Sequence, residues 1–321
     1  MICRFITEHK ARFGVVPICR VLSGHGCEIA PRTYYAHVAR PLSKRALWDL
    51  VVTRVLAGYY EPDEHGRRRP ESLYGSLKMW DHLRRQGIQG VPRCQVERLM
   101  RANGWQGVRR VKKVRTTIAD PSASRPADLV ERQFTVPAPN RLLVADFTYV
   151  RLACGSFVYT AFVIDAYAGR IVGWECSRSK QTAFVESAIR QAAAFRARQG
   201  HPLQGNTIHH SDAGSQYTSV HFGEQLLLAG MIPSIGSVGD AYDNALAETT
   251  IGLYKTEAVR EDSPFRAGPL QGLRDVEQIT ADWVSWYNQA RLMHRLGRRP
   301  PAEYEALYYA NTSADQPVSH T

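Results

Sequence analysis

Hydrophobic positions along the chain follow two rhythms, helical toward both ends and strand-like in the middle. In residues 1–40, Phe5, Ile6, His9 and Phe13 fall at helical spacing ahead of a loop containing Pro31, which predicts a short helical lead-in. A second helical stretch then places Leu47, Trp48, Val51, Val52 and Val55 on one face. After a polar segment with three successive arginines at 67–69, residues 76–86 turn Leu77, Trp80 and Leu83 inward. A turn at 87–90 follows, and residues 92–103 turn Val96, Leu99 and Met100 inward before Gly104 stops the helix. Two short helices about a glycine turn are the pattern of a helix-turn-helix.

The period changes beyond a linker rich in Pro and Ser. Residues 141–152, 156–165 and 170–177 are rich in Val, Ile, Tyr, Phe and Thr and predict three strands, antiparallel because their connections are short. A helix at 181–199, a strand at 207–210, a helix at 220–229, a strand at 231–235 and a helix at 244–259 follow. That order predicts an α/β chain: a ribonuclease H-like core with a mixed five-stranded sheet and flanking helices, preceded by an all-α helix-turn-helix region. The expected division is a lead-in at 1–42, the helix-turn-helix region at 43–115, a linker at 116–139 and the catalytic core at 140–262. A helical segment at 263–309 then puts Val276, Ile279, Trp283, Trp286 and Tyr287 on one face to pack on the core, and residues 310–321 form a flexible tail.

Composition narrows the choice of partner. Apolar residues make up 44% of the 321, enough for real cores, and no apolar run approaches the ~20 residues of a membrane span. No membrane partner is expected, and the location expected is the bacterial cytoplasm. The net charge of +11 is concentrated at one end, with +14 in residues 1–125 and −3 in the rest. A basic half suits a polyanion, because neutralised phosphates release condensed counterions. In a helix-turn-helix the second helix enters the major groove, so Arg93, Gln95, Arg98 and Arg101 are expected to meet DNA, with Arg109, Arg110, Lys112 and Lys113 in the basic run behind them. The six cysteines form no CxxC pair and suit neither a zinc site nor a disulfide framework.

Three acids occupy three predicted elements: Asp146 inside the first strand, Asp212 directly after the fourth, and Glu248 in the opening turns of the last core helix. In this topology the first and fourth strands are neighbours, so their acids converge and the helix lowers its glutamate against them. Carboxylate oxygens suit Mg²⁺ or Mn²⁺, and two ions ~3.5–4 Å apart can activate an attacking oxygen and steady a leaving one. A single aspartate at a strand end is ordinarily a turn-former or cap. His209 and His210 are expected to pack at the strand end, since hard cations prefer oxygen. Asp165 is expected to turn the chain, and Asp240, Asp243 and Asn244 to cap and support the helix of Glu248. Ser211, Gly214, Gln216 and Tyr217 are expected to shape the loop around Asp212.

The segments VADFTYV at 144–150, HHSDAGSQYTS at 209–219 and GDAYDNALAETTIGLYKTE at 239–257 resemble the DDE transposases and retroviral integrases. The likeness is to the second-reading-frame products of the third insertion-sequence family. Thirty-five residues separate Asp212 from Glu248, that family's interval, and Lys255 stands where it has a basic companion facing the same way as the glutamate. The segments at 74–105 and 286–305 are similar to the family's helix-turn-helix and closing segments, and Ala213 departs from an arginine common there.

The resemblance implies a metal-dependent DNA transposase that cleaves insertion-sequence ends and transfers strands, with Asp146, Asp212 and Glu248 as catalytic metal ligands and Lys255 on DNA. Partners so implied are terminal-repeat and target DNA, further copies of the chain, and an upstream-reading-frame product joined by frameshifting. Two alternatives stay open at this point: a nuclease of the same fold without strand transfer, and a DNA-binding regulator without catalysis.

Overall fold

The computed structural model describes residues 1–109, 128–130, 133–212, 217, 220–235 and 244–314. Two compact units divide within one helix, Met1–Val55 and Leu56–Thr321.

The first unit holds α1 (Ile2–Phe13), α2 (Val15–Gly24) and α3 (Pro31–Ala39) around Ile6, Val15, Ile18, Cys19 and Tyr34. Pro31 lies at the first turn of α3 instead of in a loop, where its missing N–H costs no helical bond. Helix α4 (Lys44–Tyr60) passes from the first unit into the second. Its buried positions are Val52, Leu56 and Tyr60, four apart, whereas Leu47, Trp48 and Val51 of the expected face are exposed.

In the second unit, α5 (Ser76–Arg85) and α6 (Arg93–Ala102) form the helix-turn-helix pair. Val96, Leu99 and Met100 are buried as expected, while in α5 Met79 joins Leu83 inside and Leu77 and Trp80 are only half-buried. Tyr60 closes this small core: its hydroxyl donates to the Tyr74 carbonyl at 2.7 Å and its ring stacks on Trp105.

The sheet consists of β1 (Leu142–Arg151), β2 (Phe157–Asp165), β3 (Arg170–Ser177), β4 (Thr207–Ser211) and β5 (Met231–Ile235), in the order β3-β2-β1-β4-β5. The first three strands are antiparallel, and β4 and β5 run parallel to β1. Helices α7 (Thr182–Arg198) and α8 (Val220–Leu228) bury Leu143, Ala145, Ala161 and Val163 on one face. Gly173 lets α7 lie against β3, since a Cβ there would come within 2.1 Å of the Ala188 carbonyl oxygen.

The opposite face carries α9 (Ala245–Tyr254), a π-helical turn at Lys255–Val259 and α10 (Leu273–Gln289). Phe162 meets Tyr254 and Trp283 there edge to face, and Val276, Ile279, Trp286 and Tyr287 are buried with them. Helix α11 (Pro301–Ala314) runs five residues into the segment expected to be a tail. It is fastened by Glu305, which accepts from Arg170 at 2.7 Å and pairs with Arg196 beside fully buried Asp165.

Candidate active site

In the parallel pair of β1 and β4, Leu142 lies opposite Ile208 and Ala145 opposite Ser211. One further step in this register sets Asp146 beside Asp212, which follows the last residue of β4. Paired strands lie ~4.8 Å apart, and level residues of a parallel pair share a face. The two carboxylates therefore leave the sheet side by side where β4 ends.

Both aspartates are half-buried, and the Phe147 N–H donates to Asp146 Oδ1 at 2.7 Å. Tyr217 lies against the pair with its ring packed on Phe147 and Phe222. Burial pushes its phenol well above the ordinary range, and the charges of Asp146 and Asp212 push it further. The Tyr217 side chain is buried, yet among the described residues its hydroxyl meets no hydrogen-bond partner.

The third acid arrives through α9. Asn244, the residue before the helix, is buried and its side-chain amide donates to the Ala145 carbonyl oxygen at 2.9 Å. The helix start is thereby tied to the residue preceding Asp146. Glu248 N–H donates to the Asn244 carbonyl at 3.0 Å, which places Glu248 one turn in, with its side chain exposed. Among the described residues no three His, Cys, Asp or Glu side chains gather as a group able to hold an ion. The fold joins Asp146 to Asp212 and fixes the helix start beside them, but it does not draw the Glu248 carboxylate into a cluster with the pair.

Lys255 begins the π-helical turn, and its ammonium lies 4.7 Å from the centroid of the Tyr149 ring on β1. Two residues on, Glu257 is buried, pairs with Arg291 at 2.6 Å and accepts from Trp283 Nε1 at 3.1 Å. The position of Glu257 beside Lys255 was its only sequence signal. Nothing in the sequence marked the Ala145 carbonyl as an anchor, because a main-chain acceptor has no residue type.

Both histidines of β4 pack inside the sheet. Burial, helped by the charge of His210, holds His209 down to about 3, so its ring is neutral against Phe222. His210 Nδ1 lies 2.9 Å from Ser234 Oγ. Asp165 turns the chain by accepting from Tyr167 N–H at 2.9 Å and also pairs with Arg196 at 2.6 Å. Ser211 is buried in β4, whereas Ala213, Gly214, Gln216, Asp240 and Asp243 lie outside the described residues. On α6, Arg93, Arg98 and Arg101 are exposed and Gln95 is half-buried; Arg101 pairs with Glu97 at 2.9 Å. Arg109 is exposed, and Arg110, Lys112 and Lys113 lie outside the described residues.

Comparison with known proteins agrees with this architecture. The integrase core domain family matches residues 136–241, a second integrase core model matches 229–301, and an HTH-like domain matches 63–113. A Mycobacterium tuberculosis (strain ATCC 25177 / H37Ra) protein named for the transposase of insertion sequence element IS986/IS6110 is 49% identical over 286 residues, covering 88% of this chain and 96% of its own. The transposase for insertion sequence element IS629 of Shigella sonnei is 42% identical over 311 residues, covering 95% and 96%. Among solved structures, the HTLV-2 integrase catalytic core domain in complex with magnesium is 19% identical with a TM-score of 0.40, over 53% of this chain and 98% of that one. With an integrase core behind a helix-turn-helix, and with insertion-sequence transposases matching along nearly their whole length, the chain belongs to the integrase-core transposases of the third insertion-sequence family, a group of polynucleotidyl transferases.

Proposed function

We propose that this transposase cuts DNA at the ends of its insertion sequence and joins the freed ends to a second phosphodiester, with Asp146, Asp212 and Glu248 as the catalytic carboxylates. The observation that carries this reading is the level placement of Asp146 and Asp212 on adjacent parallel strands, both charges acting on one buried tyrosine.

The donor set fits hard divalent cations: two neighbouring carboxylates, a third one helical turn beyond the Asn244 anchor, and two histidines turned into the protein interior. Asp146, Asp212 and Glu248 would hold Mg²⁺ or Mn²⁺, two ions per site, supplying activation of the attacking oxygen and stabilisation of the leaving one. The residues of the chain then do the positioning. Phe147 N–H fixes the Asp146 carboxylate, Asn244 sets the depth of the Glu248 helix, and Lys255 offers a cation to the nearby phosphodiester.

In the first stage water attacks phosphorus at the element end, its proton is lost to solvent, and the bond from phosphorus to the 3′ oxygen breaks to leave a 3′-OH. In the second that hydroxyl attacks another phosphodiester and displaces its 3′ oxygen as a hydroxyl. One phosphodiester replaces another, so joining requires no nucleotide cofactor. Helix α6 reads the element ends through Arg93, Gln95, Arg98 and Arg101, with Arg109, Arg110, Lys112 and Lys113 on the backbone. Two ends must be held together, so the acting form is an assembly of several copies on cytoplasmic, nucleoid DNA, and an upstream-frame fusion partner can contribute to it.

A strand-transfer assay on labelled element ends with Mg²⁺ or Mn²⁺ tests the reading. Asp146→Ala, Asp212→Ala and Glu248→Ala should each abolish joined products while DNA binding persists. Shortened strands without joined ones, from both the chain and its fusion form, would identify a nuclease instead.

A further inference from the structure

A cleft of about 540 Å³ opens between α5 and the loop from α10 to α11. Arg84 and Arg85 face it from α5, and His294 and Arg298 face it from the loop. The acids nearby are engaged: Asp81 pairs with Arg298 at 2.8 Å, and Glu303 pairs with Arg85. Arg84 instead lays its guanidinium over Trp80, 4.9 Å from the ring centroid, and Trp80 is pinned by its Nε1–H to the Val91 carbonyl at 2.9 Å. This arrangement presents a charge on a rigid support.

The loop brings a second guanidinium to the cleft, that of Arg298, half-buried and shared with Asp81. Arg298 has φ 62°, a left-handed conformation that is strained for a residue other than glycine. A bridge of Met293 to Arg299 and the Arg298 N–H on the Met293 carbonyl at 2.8 Å hold it there. Burial, with the nearby charges of Lys78 and Arg298, lowers the basicity of His294, as expected in a positive field.

The cleft continues along Trp80, Arg84 and Gln89 to Val91 and Pro92, at the start of α6. In a helix-turn-helix the first helix crosses the sugar-phosphate backbone while the second enters the groove. On that docking the loop beside α5 would face the strand that α5 crosses.

We propose that Arg84 of α5 and Arg298 of the closing loop grip phosphates of one strand of duplex DNA, so that the helix-turn-helix and the catalytic unit hold the same strand. The proposal rests on the reading of α6 as the DNA-recognition helix. Arginine suits the task because its planar donors match phosphate oxygens in pairs.

The test is the binding of the full chain to labelled duplexes, element-end and unrelated, by fluorescence anisotropy over a salt series. The double variant Arg84→Ala/Arg298→Gly should lower the slope of log K against log[salt] by about 2, equally for both duplexes, since each phosphate contact carries about 0.9. Arg84→Ala alone should lower it by about 1; exposed Arg84 has no carboxylate partner among the described residues, so the fold is kept. Arg98→Ala should weaken the element-end duplex selectively. An unchanged slope in the double variant, with Arg98→Ala acting as expected, overturns the cleft and leaves the recognition helix standing. No binding of either duplex by the unaltered chain overturns both.

Discussion

The side-chain amide of Asn244 donates to the main-chain oxygen of Ala145 at 2.9 Å, joining the helix of Glu248 to the residue before Asp146. Because the acceptor is main chain, no side-chain change on β1 can break the tie. Its loss lets α9 shift along the strand, and small misplacements of a reacting group cost large factors in rate. Asn244→Ala should lower joining by about ten- to a hundredfold, ~1.4–2.7 kcal/mol in the barrier, with DNA affinity kept within about twofold. Equal losses in binding and joining would mean that Asn244 merely supports the fold. Asn244→Asp, which has no donor when ionised, should behave like the alanine variant.

Tyr74 links the helix-turn-helix to the far end of α10 in a similar way. Its hydroxyl donates to the Ala290 carbonyl at 3.2 Å and accepts from Leu292 N–H at 3.1 Å. Tyr74→Phe takes this partner from the buried Leu292 N–H and the half-buried Ala290 carbonyl and should destabilise the second unit by about 1–3 kcal/mol in urea unfolding. Faster amide exchange should follow at Leu292. Unaltered exchange there would show that the hydroxyl carries no part of this junction.

The strands of the core were legible because alternating β-branched and aromatic residues specify both element and face, and the order of elements specified the sheet. The placement of Asp146 beside Asp212 was legible from the elements that carry them. Helix α4 was misread for a physical reason: its apolar residues lie all around it, so periodicity could not decide which stripe is buried, and the structure chose Val52, Leu56 and Tyr60. The ion pair of Glu257 with Arg291 spans 34 positions and leaves no periodic trace. Arg298 sat in plain view within the basic closing segment, but its left-handed backbone and its nearness to α5 are tertiary facts.

Arg196 fastens α11 to the sheet. It is fully buried, pairs with Asp165 at 2.6 Å and with Glu305, and removing it leaves Asp165 in the interior without a cation and Glu305 with Arg170 alone. Arg196→Met should destabilise the second unit by about 3–5 kcal/mol, the usual cost of breaking a buried pair from one side. Arg196→Met/Asp165→Asn, which also removes the carboxylate left without a cation while Glu305 keeps Arg170, should recover part of that loss in the same denaturation assay. A double variant no more stable than the single one would show that packing of the arginine stem, not charge, holds the helix.

His209 makes the core acid-sensitive, and the direction follows from its protonation. Its ordinary value of 6.5 falls to about 3 in the folded chain, chiefly through burial. Between these values the unfolded chain binds a proton that the folded core refuses, so acid favours unfolding. Stability should therefore fall as pH drops below about 6.5, by up to ~1.4 kcal/mol per pH unit, and should be indifferent to this group above that pH. Urea unfolding at pH 7.5 and 5.0 should show a drop about 2 kcal/mol smaller in His209→Leu than in the unaltered chain. Among the described residues neither ring nitrogen of His209 has a hydrogen-bond partner for the variant to remove. Equal drops in the two proteins would place the acid sensitivity elsewhere and mean that the His209 ring is reached by water.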